Sequence, residues 1–123
     1  MEIKELTRAE EQLMQILWQL EKGFVKDVME HLPEPKPAYN TVSTIIRILE
    51  AKGFVAYNAF GKSHQYYPII SKEDYQNFAT DKLMTGYFDN SVKHMFSYFV
   101  KKEKIDLKEA DEIMKLIEKL KNK

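Results

Sequence analysis

Three prolines, Pro33, Pro35 and Pro37, constrain most strongly what this chain can fold into. Each proline fixes its own φ and removes a backbone donor, so no helix continues through this segment. Residues 25–32 before it and residues 39–53 after it both place apolar side chains at helical spacing. Two helices joined by a short, stiff connector are the pattern of a helix-turn-helix.

The second of these helices has two different faces. Val42, Ile46 and Leu49 fall on one stripe, which a core must bury. The opposite stripe carries short hydrogen-bonding side chains and one arginine, where exposed helix faces usually carry Glu, Lys and Gln. Such side chains suit close approach to base edges and phosphates, although an ordinary surface helix is the alternative. The residues predicted to read DNA are Asn40, Ser43, Thr44 and Arg47.

After Gly53 the periodicity changes from that of a helix to that of a strand. Aromatic and β-branched residues predict antiparallel strands over residues 54–60 and 64–69, with a turn at residues 61–63. A hairpin directly after a helix-turn-helix is a wing, so residues 1–70 are predicted to form a winged-helix DNA-binding domain. The residues predicted to hold the DNA backbone are Tyr39, Thr41, Lys62 and His64.

Residues 6–23 are predicted to form the first helix. Thr7 can cap this helix, and Glu10 three residues later completes a capping box. Gly23 is predicted to end it. Trp18 lies off the apolar stripe and is predicted to cover a second core surface.

From Ser71 the chain returns to helical periodicity in three segments, near residues 71–87 and 91–101 and after a cap at Asp106. Residues 71–123 carry more apolar side chains than so small a unit can bury, which predicts a helical dimerisation region. Packing back onto the first 70 residues is the alternative. The predicted dimerisation residues are Tyr87, Phe88, Val92, Met95, Phe96, Phe99, Ile113, Leu116, Ile117 and Leu120. The predicted fold class is therefore mainly α with a small β-hairpin.

Composition bounds the class of function. The absence of cysteine excludes disulfides, thiol chemistry and cysteine-ligated zinc. Because no apolar run can cross a bilayer and the start lacks a signal core, we expect a cytoplasmic protein without membrane insertion. The 19 basic and 19 acidic residues cancel, which weakens a nucleic-acid interpretation. Between Pro35 and Ile70, however, Glu50 is the only acid. The basic residues of that range are Lys36, Arg47, Lys52 and Lys62.

Catalytic and ligand sites find little support. Residues 56–63, AYNAFGKS, fit a relaxed phosphate-loop pattern, but a strand follows them where that mechanism needs a helix, so a hairpin turn is the better interpretation. His31, His64 and His94 lie far apart and share no ligand spacing with acids. No metal, cofactor or catalytic residue is therefore predicted, and the chain is not expected to be an enzyme.

Three stretches resemble the BlaI/MecI-type penicillinase repressors. They are AEEQLMQILW from Ala9, AYNTVSTIIRILEAKGFV from Ala38 and GKSHQYYPIIS from Gly61. The tail is similar in layout to the family's C-terminal dimerisation helices. The resemblance implies a homodimeric winged helix that binds a pseudo-palindromic operator in double-stranded DNA and represses transcription, with antibiotic-resistance genes as a class of target.

The resemblance also implies a regulatory partner. In the best-known members, a membrane sensor-protease pathway detects β-lactam, and the repressor is cut at an Asn-Phe bond. The aligned position here is Tyr98-Phe99, which makes these two residues the candidate cleavage site, with tyrosine in place of asparagine. The recognition helix departs too, with Asn40 and Ser43 where basic side chains are common and Ile48 where arginine is frequent. A different operator sequence and a lower electrostatic affinity are therefore expected.

Two functions of different classes follow. One is the dimeric repressor just described. The other is a winged-helix module that docks a partner protein without specific DNA binding, which the near-neutral charge favours. DNA binding should fall steeply with salt, whereas an apolar protein interface should barely respond.

Overall fold

The computed structural model describes residues 2–121, which form six helices and one two-stranded antiparallel sheet. This confirms the predicted fold class. The chain divides into two compact units, Met1–Ala79 and Thr80–Lys123. The elements in chain order are α1 (Arg8–Leu20), α2 (Val25–Glu30), α3 (Tyr39–Ala51), β1 (Val55–Phe60), β2 (Ser63–Pro68), α4 (Lys72–Tyr87), α5 (Val92–Lys101) and α6 (Leu107–Lys121).

Helix α1 begins at Arg8, directly after the predicted cap residue Thr7, and ends at Leu20, earlier than predicted. The Thr7 hydroxyl accepts from the Glu10 amide at 3.2 Å, and the Glu10 carboxylate accepts from the Thr7 amide at 3.0 Å, which confirms the capping box. The prediction that Gly23 ends the helix is wrong. Glu21 takes the cap with a φ of 70°, because Gly23 exchanges two backbone hydrogen bonds with Tyr66 of β2 and so belongs to the sheet edge.

The core of the first unit lies between α1, α2, α3 and the base of the hairpin. The predicted stripe of α3 is buried there, with Val42, Ile46 and Leu49 fully covered and Ile45 half-buried. Phe54 fills the junction between α3 and β1. The largest fully buried side chains are Phe54, Met14, Leu17, Ile46, Leu49, Val28, Val42 and Val55.

The first unit continues to Ala79, beyond the predicted boundary at residue 70. The reason is Tyr75 of α4, which is buried in the core and whose hydroxyl accepts from the Leu6 amide at 3.0 Å. Trp18 packs on the Tyr75 ring at 6.1 Å and donates from its indole nitrogen to the Ile70 carbonyl at 2.9 Å. The prediction that Trp18 covers a core surface is confirmed.

The hairpin pairs Val55 with Pro68 at its base and Phe60 with Ser63 at its tip. The turn is one residue shorter than predicted, because Ser63 pairs with Phe60 and leaves only Gly61 and Lys62 between the strands. Gly61 has a φ of 63°, which suits glycine in a tight turn. Since strands flank this turn on both sides, the segment cannot cradle phosphate as a phosphate loop does.

The second unit contains the end of α4, with α5 and α6. Ser91 caps α5 and accepts from the His94 amide at 3.1 Å. As predicted, Asp106 caps α6, where its carboxylate accepts from the Glu109 amide at 2.7 Å. Met84 and Phe88 are buried, whereas no residue of α5 or α6 is. Among residues 2–121, no helix is both long and apolar enough to cross a membrane.

Candidate nucleic-acid interface

The outer face of α3 presents the predicted reading residues. Asn40, Thr44 and Arg47 are exposed and Ser43 is half-buried, as the amphipathic pattern requires. The Thr44 hydroxyl donates to the Asn40 carbonyl at 2.8 Å. That bond commits its proton within the helix, which leaves Thr44 its acceptor lone pairs and its methyl group for an approaching base.

A cleft of about 530 Å³ lies between this face and the hairpin. It brings together five of the eight predicted DNA-contacting residues, from α3 and from the hairpin that follows it. Asn40, Thr41 and Thr44 lie outside it. No acidic residue lines it. The lining residues are Phe24, Val25, Lys26, Tyr39, Ser43, Arg47, Phe60, Lys62, Ser63, His64 and Tyr66.

The positive charge of this cleft comes from a different set of residues than the sequence suggested. Lys36 donates to the Met29 carbonyl at 2.8 Å and the Leu32 carbonyl at 3.2 Å, so it caps the end of α2. Lys52 forms an ion pair with Glu10. Arg47 and Lys62 line the cleft, and Lys26 joins them from α2. Sequence reasoning missed Lys26, because no spacing rule relates the start of α2 to a hairpin turn.

Aromatic rings shape the hairpin side of the cleft. The His64 ring stacks on Tyr57 with centroids 3.9 Å apart and planes 6° from parallel, so stacking fixes its orientation. Phe60 at the hairpin tip meets Phe24 edge-on at 5.9 Å. Burial, with the negative charge of Glu50, raises the pKa of Tyr66 and keeps its phenol neutral. Phe24, Phe60, Ser63 and Tyr66 are further lining residues that the sequence analysis did not single out.

The ion pair behind the cleft involves a well-buried carboxylate. Burial alone would raise the pKa of Glu10, but the hydrogen bond from Lys52, supported by the Thr7 amide, holds that pKa below its ordinary value. Glu10 therefore stays ionised, and its charge is balanced by Lys52 at 2.5 Å.

The predicted dimerisation residues have mixed exposure. Tyr87 and most of the apolar residues of α6 are exposed, and a groove of about 590 Å³ runs between α5 and α6, lined by Val92, Phe96, Ile113 and Ile117 among others. Phe88 differs from the others, because it is buried within its own chain against the rings of Tyr98 and Phe99. The remaining predicted residues, all exposed or half-buried, are Met95, Phe99, Leu116 and Leu120.

The candidate cleavage position lies inside α5. Tyr98 is exposed and Phe99 is half-buried. The Tyr98 carbonyl accepts from the Lys102 amide at 3.0 Å, so the peptide bond between Tyr98 and Phe99 is part of the regular helix.

Comparison with known proteins finds relatives of nearly the whole chain. Residues 6–119 match the penicillinase repressor family. The methicillin resistance regulatory protein MecI of Staphylococcus aureus strain N315 is 23% identical over 116 residues, which cover 94% of each chain. MecI of Mammaliicoccus sciuri is 22% identical over the same length.

Similarity to a solved structure extends over part of the chain. The solution structure of the DNA-binding domain of the repressor BlaI aligns with a TM-score of 0.52 and 24% identity, over 60% of this chain and 92% of that one. At this identity the likeness shows the winged-helix fold. The family match spans nearly the whole chain. We conclude that this chain belongs to the penicillinase repressor family and is a transcriptional repressor of the BlaI/MecI type.

Proposed function

We propose that this chain represses transcription by binding a pseudo-palindromic operator as a homodimer. The observation that carries this proposal is the acid-free cleft between α3 and the hairpin, where Lys26, Arg47 and Lys62 converge. Positive charge between a recognition helix and a wing suits the phosphate backbone of duplex DNA beside a major groove.

Each contact has a distinct proposed role. Arg47 and Asn40 approach base edges, since arginine pairs with guanine and asparagine with adenine in a bidentate manner. Ser43 and Thr44 add acceptors and short contacts at the same groove. Contacts to phosphate and sugar fix register without reading sequence. These are proposed for Tyr39, Thr41, Lys62 and His64, with Lys26 added by the geometry of the cleft.

Dimerisation is proposed from the second unit. Its apolar side chains outnumber what three short helices cover, and Leu116, Ile117 and Leu120 are all exposed. Exposed apolar patches of this kind mark association surfaces, and a two-fold pair is the commonest closed assembly. Two recognition helices related by a two-fold axis match an operator with two related half-sites.

The regulated genes and the release mechanism are proposed from the relatives. MecI is named a methicillin resistance regulator, which makes antibiotic-resistance genes a candidate target. Release by a membrane sensor-protease would require a cut at Tyr98-Phe99, and the helical hydrogen bond to Lys102 means that α5 must unwind locally first. Incubation with such a protease followed by intact-mass measurement tests this, and an uncut chain contradicts it.

The repressor function is tested by selecting duplexes from a random-sequence library with the full chain. The proposal expects an enriched pseudo-palindrome whose affinity falls steeply between low and moderate salt. The rival function, a protein-docking module, is favoured by the zero net charge and by exposed Tyr39 and Phe60. Binding to a protein partner with little salt dependence, and no enriched duplex, would decide for that rival.

A further inference from the structure

One ion pair connects the first helix to the end of the recognition helix. Lys52 donates to the Glu10 carboxylate at 2.5 Å and to the Glu5 carbonyl at 3.3 Å. The same Glu10 oxygen accepts from the Thr7 amide at 3.0 Å. A single carboxylate oxygen therefore closes the capping box of α1 and holds the residue that directly follows α3.

This ion pair is more buried than an ordinary surface pair. The side chains of Lys52 and Glu10 are 23% and 7% exposed, whereas those of Lys115 and Asp111 in α6 are 74% and 66% exposed. Exposed pairs hold geometry weakly, because water and salt screen them. Removal of one partner from a buried pair leaves an uncompensated charge, so the Lys52–Glu10 pair fixes its two segments far more firmly.

The ion pair lies at the junction between α3 and the hairpin, the two elements that flank the cleft. After Lys52, Gly53 turns the chain with a φ of 83°, a conformation that L side chains rarely adopt. Phe54 then donates to the Leu49 carbonyl at 2.9 Å and accepts from the Ile69 amide at 2.8 Å, which joins the helix end to both strands of the hairpin. A displacement at Lys52 would therefore move α3 and the hairpin relative to each other.

The side chains that attach α3 to the core are apolar. Val42, Ile46 and Leu49 are fully buried, and the free energy of their burial depends on the area covered, not on the angle of a bond. Hydrogen bonds are directional and weaken over fractions of an ångström. With 13 residues at about 1.5 Å each, α3 is long enough that a small rotation at Lys52 displaces Arg47 and Asn40 from a base edge.

We propose that Glu10 and Lys52 are positioning residues for DNA recognition. Their ion pair sets the angle between the recognition helix and the hairpin. At this angle the residues of the cleft contact the major groove and the phosphate backbone of the DNA at the same time. Neither side chain needs to touch DNA, because the Lys52 ammonium is already bonded to Glu10 and Glu5. This inference rests on the proposed function, since it concerns how that DNA-binding surface is held.

The test uses the full chain and the duplex that the wild-type chain selects from a random library. Glu10→Gln keeps an acceptor for the Thr7 amide, since glutamine also completes a capping box, but loses the charge that holds Lys52. Lys52→Gln removes the other partner, and Lys52→Arg keeps the charge. Lys115→Gln is the matched control in an exposed pair. Affinity is measured by fluorescence anisotropy at several salt concentrations and referred to the folded fraction from circular dichroism.

We expect Glu10→Gln and Lys52→Gln to bind about tenfold more weakly at every salt concentration, with an unchanged salt slope, because no phosphate contact is lost. Lys52→Arg should retain most of the affinity, and Lys115→Gln should match the wild type. By contrast, Lys62→Gln should lower the slope by about 1, as loss of one phosphate contact does.

Wild-type affinity in both folded glutamine variants would overturn the inference while leaving the proposed function intact. A reduced salt slope in Lys52→Gln would overturn it as well, because Lys52 would then be a phosphate contact. Should Lys52→Gln fail to fold, the comparison of Glu10→Gln with Lys52→Arg carries the test. Failure of the wild-type chain to select any duplex would overturn the proposed function and this inference with it.

Discussion

The two compact units differ in how completely each covers its own apolar side chains. In the first unit Phe54, Leu17 and Ile46 are fully buried, and α1, α2, α3 and the hairpin enclose them. In the second unit α5 and α6 contain no buried residue, and Leu116 and Leu120 remain exposed. The first unit therefore covers its own core, whereas the second leaves exposed apolar side chains of the kind that mark association surfaces.

The largest effect is expected from Phe54→Ala. Phe54 is fully buried and packs edge-on against Tyr75 at 5.6 Å, so its removal leaves a cavity in the first unit. The free energy of unfolding should fall by about 3–5 kcal/mol, measured by urea titration followed by circular dichroism. Phe96→Ala is the matched control. Phe96 is half-buried in the groove between α5 and α6, so its removal should lower the free energy of unfolding by clearly less. Equal losses would remove the distinction between the units.

The next largest effect is expected from Ile117→Asp. A carboxylate placed on the exposed apolar face of α6 has to be desolvated when two copies associate. The dimer dissociation constant should rise roughly 100-fold, about 2.8 kcal/mol, with the first unit still folded. Sedimentation equilibrium measures this. Lys119→Asp introduces the same side chain on the same helix and should leave association nearly unchanged; equal weakening by both would argue against an apolar interface at Ile117.

A smaller effect, on the affinity for DNA, is expected from Arg47→Ala, which changes the cleft between α3 and the hairpin in the first unit. If Arg47 makes the proposed bidentate contact to a base, its removal should weaken binding to the selected duplex by about 1–3 kcal/mol and relax specificity at one position. Arg8→Ala, an exposed arginine at the start of α1, is the matched control. Anisotropy titrations that give the two variants equal affinity would remove Arg47 from the reading face.

The smallest effect is a pH dependence of stability that comes from Glu10. Burial raises the pKa of Glu10, but the hydrogen bond from Lys52 holds it below its ordinary value in the folded state. Its stabilising contribution is therefore present above the unfolded pKa and is lost as the pH falls through the folded pKa. The wild type should therefore be more stable than Glu10→Gln at pH 7, and this difference should shrink on acidification. Urea titrations of both proteins at several pH values measure it. A difference that does not change with pH would contradict the role of the ion pair.

Local patterns of the sequence predicted much of the first unit. The alternation of faces in α3, the capping box of Thr7 and Glu10 and the change of period after Gly53 all depend on near neighbours. Each was confirmed because short-range hydrogen bonds and helical or strand periodicity determine these features directly. The same local patterns identified five residues that the fold then brings to one cleft.

Long-range contacts account for what the sequence did not reveal. Lys52 and Glu10 are 42 residues apart, so no helical or strand periodicity predicts that they form an ion pair outside the cleft. Lys26 likewise lines the cleft only because the tertiary fold places α2 beside the hairpin. Gly23 was predicted to end α1, but it forms a β-bridge with Tyr66 instead. Phe88 lies on a helical stripe, and only the fold shows that its own chain buries it.

The central claim is that the first unit binds DNA while the second pairs two copies. Sedimentation of the full chain mixed with the selected duplex tests it most directly. The account predicts a complex of two chains per duplex for the wild type, and a weaker complex dominated by one chain per duplex for Ile117→Asp. A wild-type complex with one chain per duplex, or no complex at all, would contradict it.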